Sequence, residues 1–383
     1  MIVELPFGRT SYRLDLTGRP AELIAAAETP PASRSLDAML ASALEAPLGR
    51  PPLSKLASAG ARVTLVVSDA TRAEPRAAFI AAVRARLPGV RWTIAVATGT
   101  HGPAPLAALG VPDDLLRDAT IVNHDGHRPD GLVELGVTAR GTPMRVHRCV
   151  VDAELVIATG CIRPHYFAGF GAGVKAIFPG LGEAAAIRTN HRWKTAAGAR
   201  AGIVEGNPCR EDLEEAVALL RVPTFLLDGV CAPDGGIRAV VAGDLVEAFR
   251  AGVALARPWF TVRARRAAVV IASDVAPVTS SLYQAAKIAA AVAPLVEAGG
   301  ALVVVAECGD GIGPLDVVNE AILRTGVLPR LAPGVTMHLV SALSPESVSR
   351  TLMRCAVAIE PFLDRGAVAV VPQASQLLVE VGP

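Results

Sequence analysis

The sequence predicts an α/β protein of two α/β domains with an active-site cleft between them, and three observations lead there. Short, nearly continuous apolar runs recur along the chain, each ending in a polar or glycine-rich cluster. Such runs mark strands buried on both faces of a parallel sheet. Segments of helical spacing follow several of them, the alternation from which α/β domains are built. The length, 383 residues, exceeds what a single core ordinarily serves. The boundaries expected are residues 1–258 for an amino-terminal unit, with the tail 373–383 packing back on it, and 263–372 for a second unit.

Composition narrows the function before any motif does. Apolar residues make up 51% of the chain and aromatics only 4%, so Ala, Val and Leu must fill the cores. The formal net charge is +1 and no Lys/Arg block occurs, which argues against a nucleic-acid footprint and against a polybasic membrane patch. A small molecule is the expected partner. The start, Met1-Ile-Val-Glu-Leu-Pro-Phe-Gly8, lacks the basic and long apolar regions of a signal peptide, and no long uncharged apolar run follows; a cytoplasmic protein is expected. The six cysteines are scattered without a Cys-x2-Cys pair, so neither a disulfide framework nor a structural zinc site is indicated.

Taken in order, residues 1 to 16 alternate about Gly8 as an edge hairpin. An Ala/Leu segment within 35–59 reads as a helix broken near Pro51-Pro52. Arg62 to Ser68 is an apolar strand that runs into Asp69-Ala-Thr71-Arg72. Ligands of open α/β sheets bind at the carboxyl ends of such strands, which makes these polar residues candidates; the plain alternative for Asp69 is a helix N-cap. Trp92 to Ala97 repeats the pattern and delivers Thr98-Gly-Thr-His101 in a turn. Loops on a rigid sheet are where function collects. Asn123-His124-Asp125-Gly-His127 reads as a polar turn and stays outside the expected site. A third strand, Val150 to Thr159, enters a glycine-rich loop.

Beyond it come an amphipathic helix at 210–220, a strand at 223–227 and a helix at 244–256 that should stop before Pro258. The second unit opens with the strand Ala267–Ala272. In Ser280-Ser-Leu-Tyr283-Gln284-Ala-Ala-Lys287 the spacing places Gln284 and Lys287 on one face of a helix's first turns; a solvated face is the ordinary reading of such a lysine. The strand through 301–306 ends in Glu307-Cys-Gly-Asp-Gly-Ile-Gly313, which lacks the glycine order and acidic partner of a dinucleotide site. Short strands are expected at 335–340, 356–359, 367–371 and 377–381.

The most informative stretch is Gly160-Cys-Ile-Arg-Pro-His165-Tyr-Phe-Ala-Gly-Phe-Gly-Ala-Gly-Val-Lys175-Ala-Ile-Phe-Pro-Gly180 with its continuation to Asn190-His191. Glycines weaken helices and free the backbone to approach a ligand, so this is a binding loop. It holds an amine and two imidazoles, each able to act as base, nucleophile or metal ligand. A phosphate-cradling P-loop would need glycine directly before the lysine and Ser or Thr after it. Val174 and Ala176 stand there instead.

The pattern His-x3-Gly-x3-Gly-x-Lys-x3-Pro-Gly followed by Asn-His resembles the nickel-dependent lactate racemase family of 2-hydroxyacid racemases and epimerases. The resemblance extends, in the family's order, to Asp69-Ala-Thr71-Arg72, Thr98-Gly-Thr-His101, Tyr283-Gln284-Ala-Ala-Lys287 and Glu307 to Gly313, and so covers both expected domains. It implies an isomerase that acts on a 2-hydroxy acid, lactate-like or larger, by proton-coupled hydride transfer, and that depends on cofactor-synthesis proteins. The implied cofactor is a nickel-pincer nucleotide, a pyridinium mononucleotide with two sulfur-bearing arms, covalently attached to Lys175. By the same resemblance His191 is the protein ligand to nickel, a role imidazole suits, and Asp69 and Thr71 line the cofactor pocket. His101 and His165 are the implied acid/base pair. Arg72 and Lys287 would grip the substrate carboxylate, with Tyr283 and Gln284 beside them.

Two departures stand out. The family commonly has Gly-Gly before x-Lys, where this chain has Ala172-Gly173, and the second unit contains no Trp. Two other functions are open to the same residues. A zinc hydrolase could use His101, His165 and His191 with a water, but it leaves Lys175, Arg72 and Lys287 unexplained. A non-catalytic carrier of cofactor or metal would need neither His101 nor His165.

Overall fold

The computed structural model describes residues 1–72 and 74–382. Its strands, in chain order, include β1 (Ile2–Phe7), β2 (Thr10–Asp15) and β3 (Ala21–Leu23), then β4 (Arg62–Ser68), β5 (Arg91–Ala97), β6 (Thr120–Asn123), β7 (Leu155–Ile162), β8 (Thr224–Cys231) and β9 (Ile237–Gly243). They continue as β10 (Ala267–Ala272), β11 (Val296–Val305), β12 (Thr336–Val340), β13 (Arg354–Cys355) and β14 (Val368–Val371). The chain divides into two compact units, one of residues 29–259 and one of residues 1–28 with 260–383. The expected α/β class holds.

In the 29–259 unit the strand order is β9-β8-β7-β4-β5-β6. All neighbours are parallel except β8 and β9. The central strands are apolar throughout because helices cover the sheet: Phe79, Ile80 and Val83 of the helix Arg76–Arg84 share a core with Val63, Leu65 and Val67 of β4. Each such side chain contributes roughly 1.5–3 kcal/mol on burial, so the sheet is a firm platform for its loops. From β4 the chain winds through β5 to β6, and β7 then returns to the other side of β4. That reversal is the topological switch point where open α/β sheets bind ligands. The loops after β4 and β7, those carrying Asp69 to Arg72 and His165 to Lys175, start there.

The other unit has the all-parallel order β13-β12-β11-β10-β14-β3, with its switch point between β10 and β14. Its layers follow the two-residue period of a strand. Val269 and Ile271 of β10 pack on Val3, Leu5, Leu14 and Leu16 of the β1/β2 hairpin. Val270 and Ala272 pack on the other face against Leu282, Ala285, Ala286 and Ala289 of the helix Leu282–Val292.

The structure corrects the expected boundaries. Residues 1–28 belong with the carboxyl-terminal unit and not with 29–258, because the hairpin supplies one apolar layer of its sheet and β3 pairs in parallel with β14. The tail does not return to the 29–259 unit either: Leu378–Val381 pairs with Thr261–Ala264 in its own unit, and Pro383 lies outside the described residues. The helix expected to stop before Pro258 runs from Glu247 to Phe260 with Pro258 inside it. Fully buried Phe260 anchors that last turn, which moves the boundary to 259/260. The strand expected at 356–359 falls at Arg354–Cys355. All six cysteines are free thiols.

Candidate active site

Two groups of side chains form on the loops of the 29–259 unit. The first stands past β4. Buried Asp69 accepts from the Thr71 amide (3.0 Å) and hydroxyl (2.6 Å) on Oδ1, and its Oδ2 lies 2.8 Å from His101 Nδ1. Burial pushes the Asp69 carboxyl up, but the hydrogen bonds from His101 and Thr71 outweigh it and its pKa is lowered. Asp69 is therefore a carboxylate at neutral pH, His101 Nδ1 donates to it, and the neutral ring keeps its lone pair on Nε2. Asp69 thus orients a histidine, a role the sequence reading did not give it.

The strand-end loop is clamped from behind. Arg76 donates to the carbonyls of Ser68 (2.8 Å), Asp69 and Arg72 (2.6 Å), and Glu74 accepts the Ser68 amide at 3.0 Å. Arg72 itself is exposed, held through its amide to Asp69 O at 3.3 Å. Neither Arg76 nor Glu74 stands out in the sequence, because two charged residues eight and six positions past a strand read as solvated until the folded loop buries and pairs them.

The second group gathers on Phe167. This buried ring meets His165 edge-on at 4.6 Å between centroids, meets His191 at 4.9 Å, and carries the Lys175 ammonium over its face at 5.5 Å. His165 Nδ1 accepts the Ala168 amide at 3.3 Å, so a neutral His165 has its proton on Nε2. His191 Nδ1 lies 3.1 Å from Asn190 Oδ1. Burial, helped by the charges of Lys175 and Lys194, lowers the His191 pKa to about 3. Burial also lowers Lys175 to about 8, with the Arg210 and Arg72 cations pushing the same way against Cys209. That electrostatic link places Arg72 in the Lys175 neighbourhood, and the Gly99 amide on Gly180 O (2.9 Å) ties the His101 loop to the Lys175 loop.

The depressed amine leads to a prediction. In the cofactor-free protein, acylation of Lys175 should rise with pH and reach half its limit near pH 8, since the amine is mostly protonated below that value, whereas exposed lysines should lag to about pH 10.4. Peptide mass spectrometry after brief acylation across a pH series reads this directly.

The glycines of the loop answer to protein packing. A Cβ at Gly173 would sit 2.7 Å from Arg210 Nη2 and 2.8 Å from the Phe249 ring, and one at Gly180 would sit 2.0 Å from the Ala176 carbonyl oxygen. Fully buried Arg210 stacks 3.7 Å over Phe249 and reaches the carbonyls of Phe170 and Ala172, while buried Asp228 accepts the Gly173 amide at 2.9 Å. Ala172 has φ +67° and ψ −162°, a conformation L residues avoid, which explains why glycine is the residue expected there. Ala172→Gly should relieve strain of about 1–2 kcal/mol, offset in part by glycine's extra chain entropy. A net stabilisation near 1 kcal/mol in urea denaturation is the expected result.

In the other unit Tyr283, Gln284 and Lys287 lie on the helix Leu282–Val292, capped by Ser281, and Lys287 Nζ donates to Gln284 Oε1. The Leu282 and Tyr283 amides donate to the Gly311 and Ile312 carbonyls, each at 3.0 Å. The two motif blocks of that unit are thus one assembly. His124, left outside the site, is buried and bonds Gly182 O at 2.9 Å, a tie between loops. Among the described residues no three His, Cys, Asp or Glu side chains converge as a metal site, so His101, His165 and His191 do not form the three-histidine zinc centre weighed above.

Comparison with known proteins decides the family. Residues 7–202, just over half of the chain, match the model of the lactate racemase N-terminal domain. The chain belongs to the lactate racemase family. It is 28% identical over 346 residues to the lactate racemase of Thermoanaerobacterium thermosaccharolyticum, covering 84% of this chain and 81% of that one. To the lactate racemase of Lactiplantibacillus plantarum it is 26% identical over 322 residues, 81% of this chain and 76% of the other. The fold is that of the lactate racemase apoprotein from T. thermosaccharolyticum (TM-score 0.83, 24% identity, 99% of this chain and 100% of that one). A Thermotoga maritima protein is also similar (TM-score 0.67, 17% identity, 86% and 96%). This lactate racemase family member is an enzyme, an isomerase of the racemase kind. No helix among its described residues is long and apolar enough to cross a membrane.

Proposed function

We propose that the protein racemises or epimerises a 2-hydroxy acid, lactate or a larger analogue, with a nickel-pincer nucleotide attached to Lys175, and that cofactor-synthesis proteins supply that group. The observation that carries the reading is the grouping of Lys175, His191 and His165 on Phe167. The donor set fits the group. An amine whose pKa is near 8 is partly neutral at physiological pH and can be acylated, and an imidazole kept neutral by burial has a lone pair for nickel, a metal imidazole suits. When bound, the group would supply an electron-poor centre for hydride chemistry at C2 of the substrate.

The chain's own residues manage the proton and the carboxylate. In its neutral form His101 has an unprotonated Nε2, set by Asp69, to remove the hydroxyl proton of one enantiomer. His165, once it also carries a proton on Nδ1 in place of the Ala168 amide contact, can return its Nε2 proton to the opposite face and revert to the neutral ring. A base and an acid on separate loops meet what inversion at C2 requires. Arg72 offers a planar fork for the carboxylate; Lys287, Gln284 and Tyr283 are proposed as substrate contacts of the other unit, and Thr71 as a cofactor contact along with Asp69.

The test is to produce the protein with and without cofactor-synthesis proteins, then measure the Lys175 peptide mass, nickel content and chiral conversion of a panel of 2-hydroxy acids. Adduct, nickel and racemisation together support the reading. No adduct in the supplied host sinks it, and a nickel-loaded adduct that racemises none of the acids assigns the protein as a carrier. Arg72→Ala should leave the adduct intact and raise KM about 10–100-fold, the loss of one charge-assisted contact. An unchanged KM would remove Arg72 from the substrate site.

A further inference from the structure

Behind His191 stands a fully buried chain of hydrogen bonds that the proposed chemistry does not use. Asn190 and Asp212 are both 0% exposed. Asn190 Nδ2 donates to Asp212 Oδ2 (2.7 Å) and to the Cys209 carbonyl (3.1 Å), two groups that can only accept. The amide orientation is therefore unambiguous, and Oδ1 is the atom left facing His191 Nδ1 at 3.1 Å. The Cys209 thiol, 3.2 Å away, donates to the same oxygen. Asp212 is held in turn by the Thr142 hydroxyl at 2.6 Å and by the Thr138 hydroxyl. An amide oxygen can only accept, so His191 Nδ1 must donate.

We propose that Asn190 is a positioning residue that fixes His191 as the Nδ1-protonated tautomer, leaving Nε2 as its basic atom, and that Asp212 fixes Asn190. Its use rests on the reading of His191 as a nickel ligand, since a ligating imidazole ordinarily donates its other ring N–H to a partner that sets tautomer and orientation. The Asp212 carboxylate has three donors to satisfy, and removing it would free the amide to turn its NH2 toward His191. That turn would put the imidazole proton on Nε2, the atom a metal needs bare.

The test reads the tautomer first and the metal second. Cofactor-free protein with 15N-labelled histidine is examined at neutral pH by long-range 1H–15N correlation, with His191→Gln identifying the His191 signals among the seven histidines. Wild type should show the proton on Nδ1. Asn190→Ala leaves the His191 ring only the Ile187 carbonyl as acceptor and should shift the tautomer population toward Nε2, and the exchanged pair Asn190→Asp with Asp212→Asn, which restores an acceptor to Nδ1 and a donor to its neighbour, should bring it back. Rescue by exchange is not expected of residues that only fill space.

In protein produced with the cofactor-synthesis proteins, Asn190→Ala should keep the Lys175 adduct but hold nickel about 10–100-fold less tightly against a chelator. Wild-type His191 protonated on Nε2 would overturn the proposal with no variant needed, even if Asn190→Ala fails to fold. An Asn190→Ala protein that keeps the Nδ1 proton would overturn it equally. Absence of adduct and nickel from wild type would instead sink the proposed function, while the tautomer measurement still decides the role of Asn190.

Discussion

Lys175→Ala is expected to give a folded protein that carries no covalent adduct and racemises nothing above background. Enzymes accelerate their reactions by at least about 10⁶-fold, and a cofactor that carries the difficult chemistry takes nearly all of that with it when lost. The fold should survive, because burial disfavours the Lys175 ammonium and its loop is held by Arg210 and Asp228. Lys175→Arg should fail in the same way, since a guanidinium stays protonated and is a poor nucleophile. Intact mass and chiral chromatography check both variants. An adduct of unchanged mass on Lys175→Ala would mean that another residue is the attachment point.

The second large effect is expected at Asp69, where a change of one atom should silence His101. The Thr71 amide can only donate to Asp69 Oδ1, so in Asp69→Asn the side-chain oxygen must stay with Thr71 and the new NH2 must face His101 Nδ1. That nitrogen then has to accept, the ring proton moves to Nε2, and the base is lost. A fall in kcat of about 10²–10⁴-fold is expected in both directions, because racemisation of either enantiomer passes through both imidazoles, while the Lys175 adduct is retained. Wild-type turnover in both directions would show that His101 Nε2 is not the base.

Much of this architecture is legible in the residues. The apolar runs of β4, β5, β7, β10 and β11 read as buried parallel strands because both faces of each are covered, and helical spacing locates the helices Leu36–Glu45, Pro208–Ala218, Glu247–Phe260 and Leu282–Val292 but not Arg76–Arg84 or Ala184–His191. The stretch from His165 to His191, a glycine-rich loop that runs into the helix Ala184–His191 where a loop is expected throughout, announces itself by putting reactive side chains among glycines. What the residues leave unread are partnerships over long separations. Asp69 looks like a helix cap until His101 arrives beside it, and Phe167 looks like core until three functional side chains gather on it. Asp212 is one acid among several on its helix until Thr138, Thr142 and Asn190 close over it. The placement of residues 1–28 is hidden for the same reason: an amphipathic hairpin shows which face is apolar but not which sheet it will cover.

That placement bears on how the molecule is made. The 29–259 unit is a continuous length of chain inserted into the other unit, whose sheet needs β3 from the beginning of the chain and β14 from near its end. On the ribosome, therefore, the inserted unit can finish folding while the hairpin and β3 wait, their apolar faces uncovered, for strands not yet synthesised. A folded insert brings its two ends to fixed positions, which shortens the effective loop that β3 and β14 must close. β3 therefore has no partner strand until β14 has been made, and the earliest strand of that sheet is among the last to be paired.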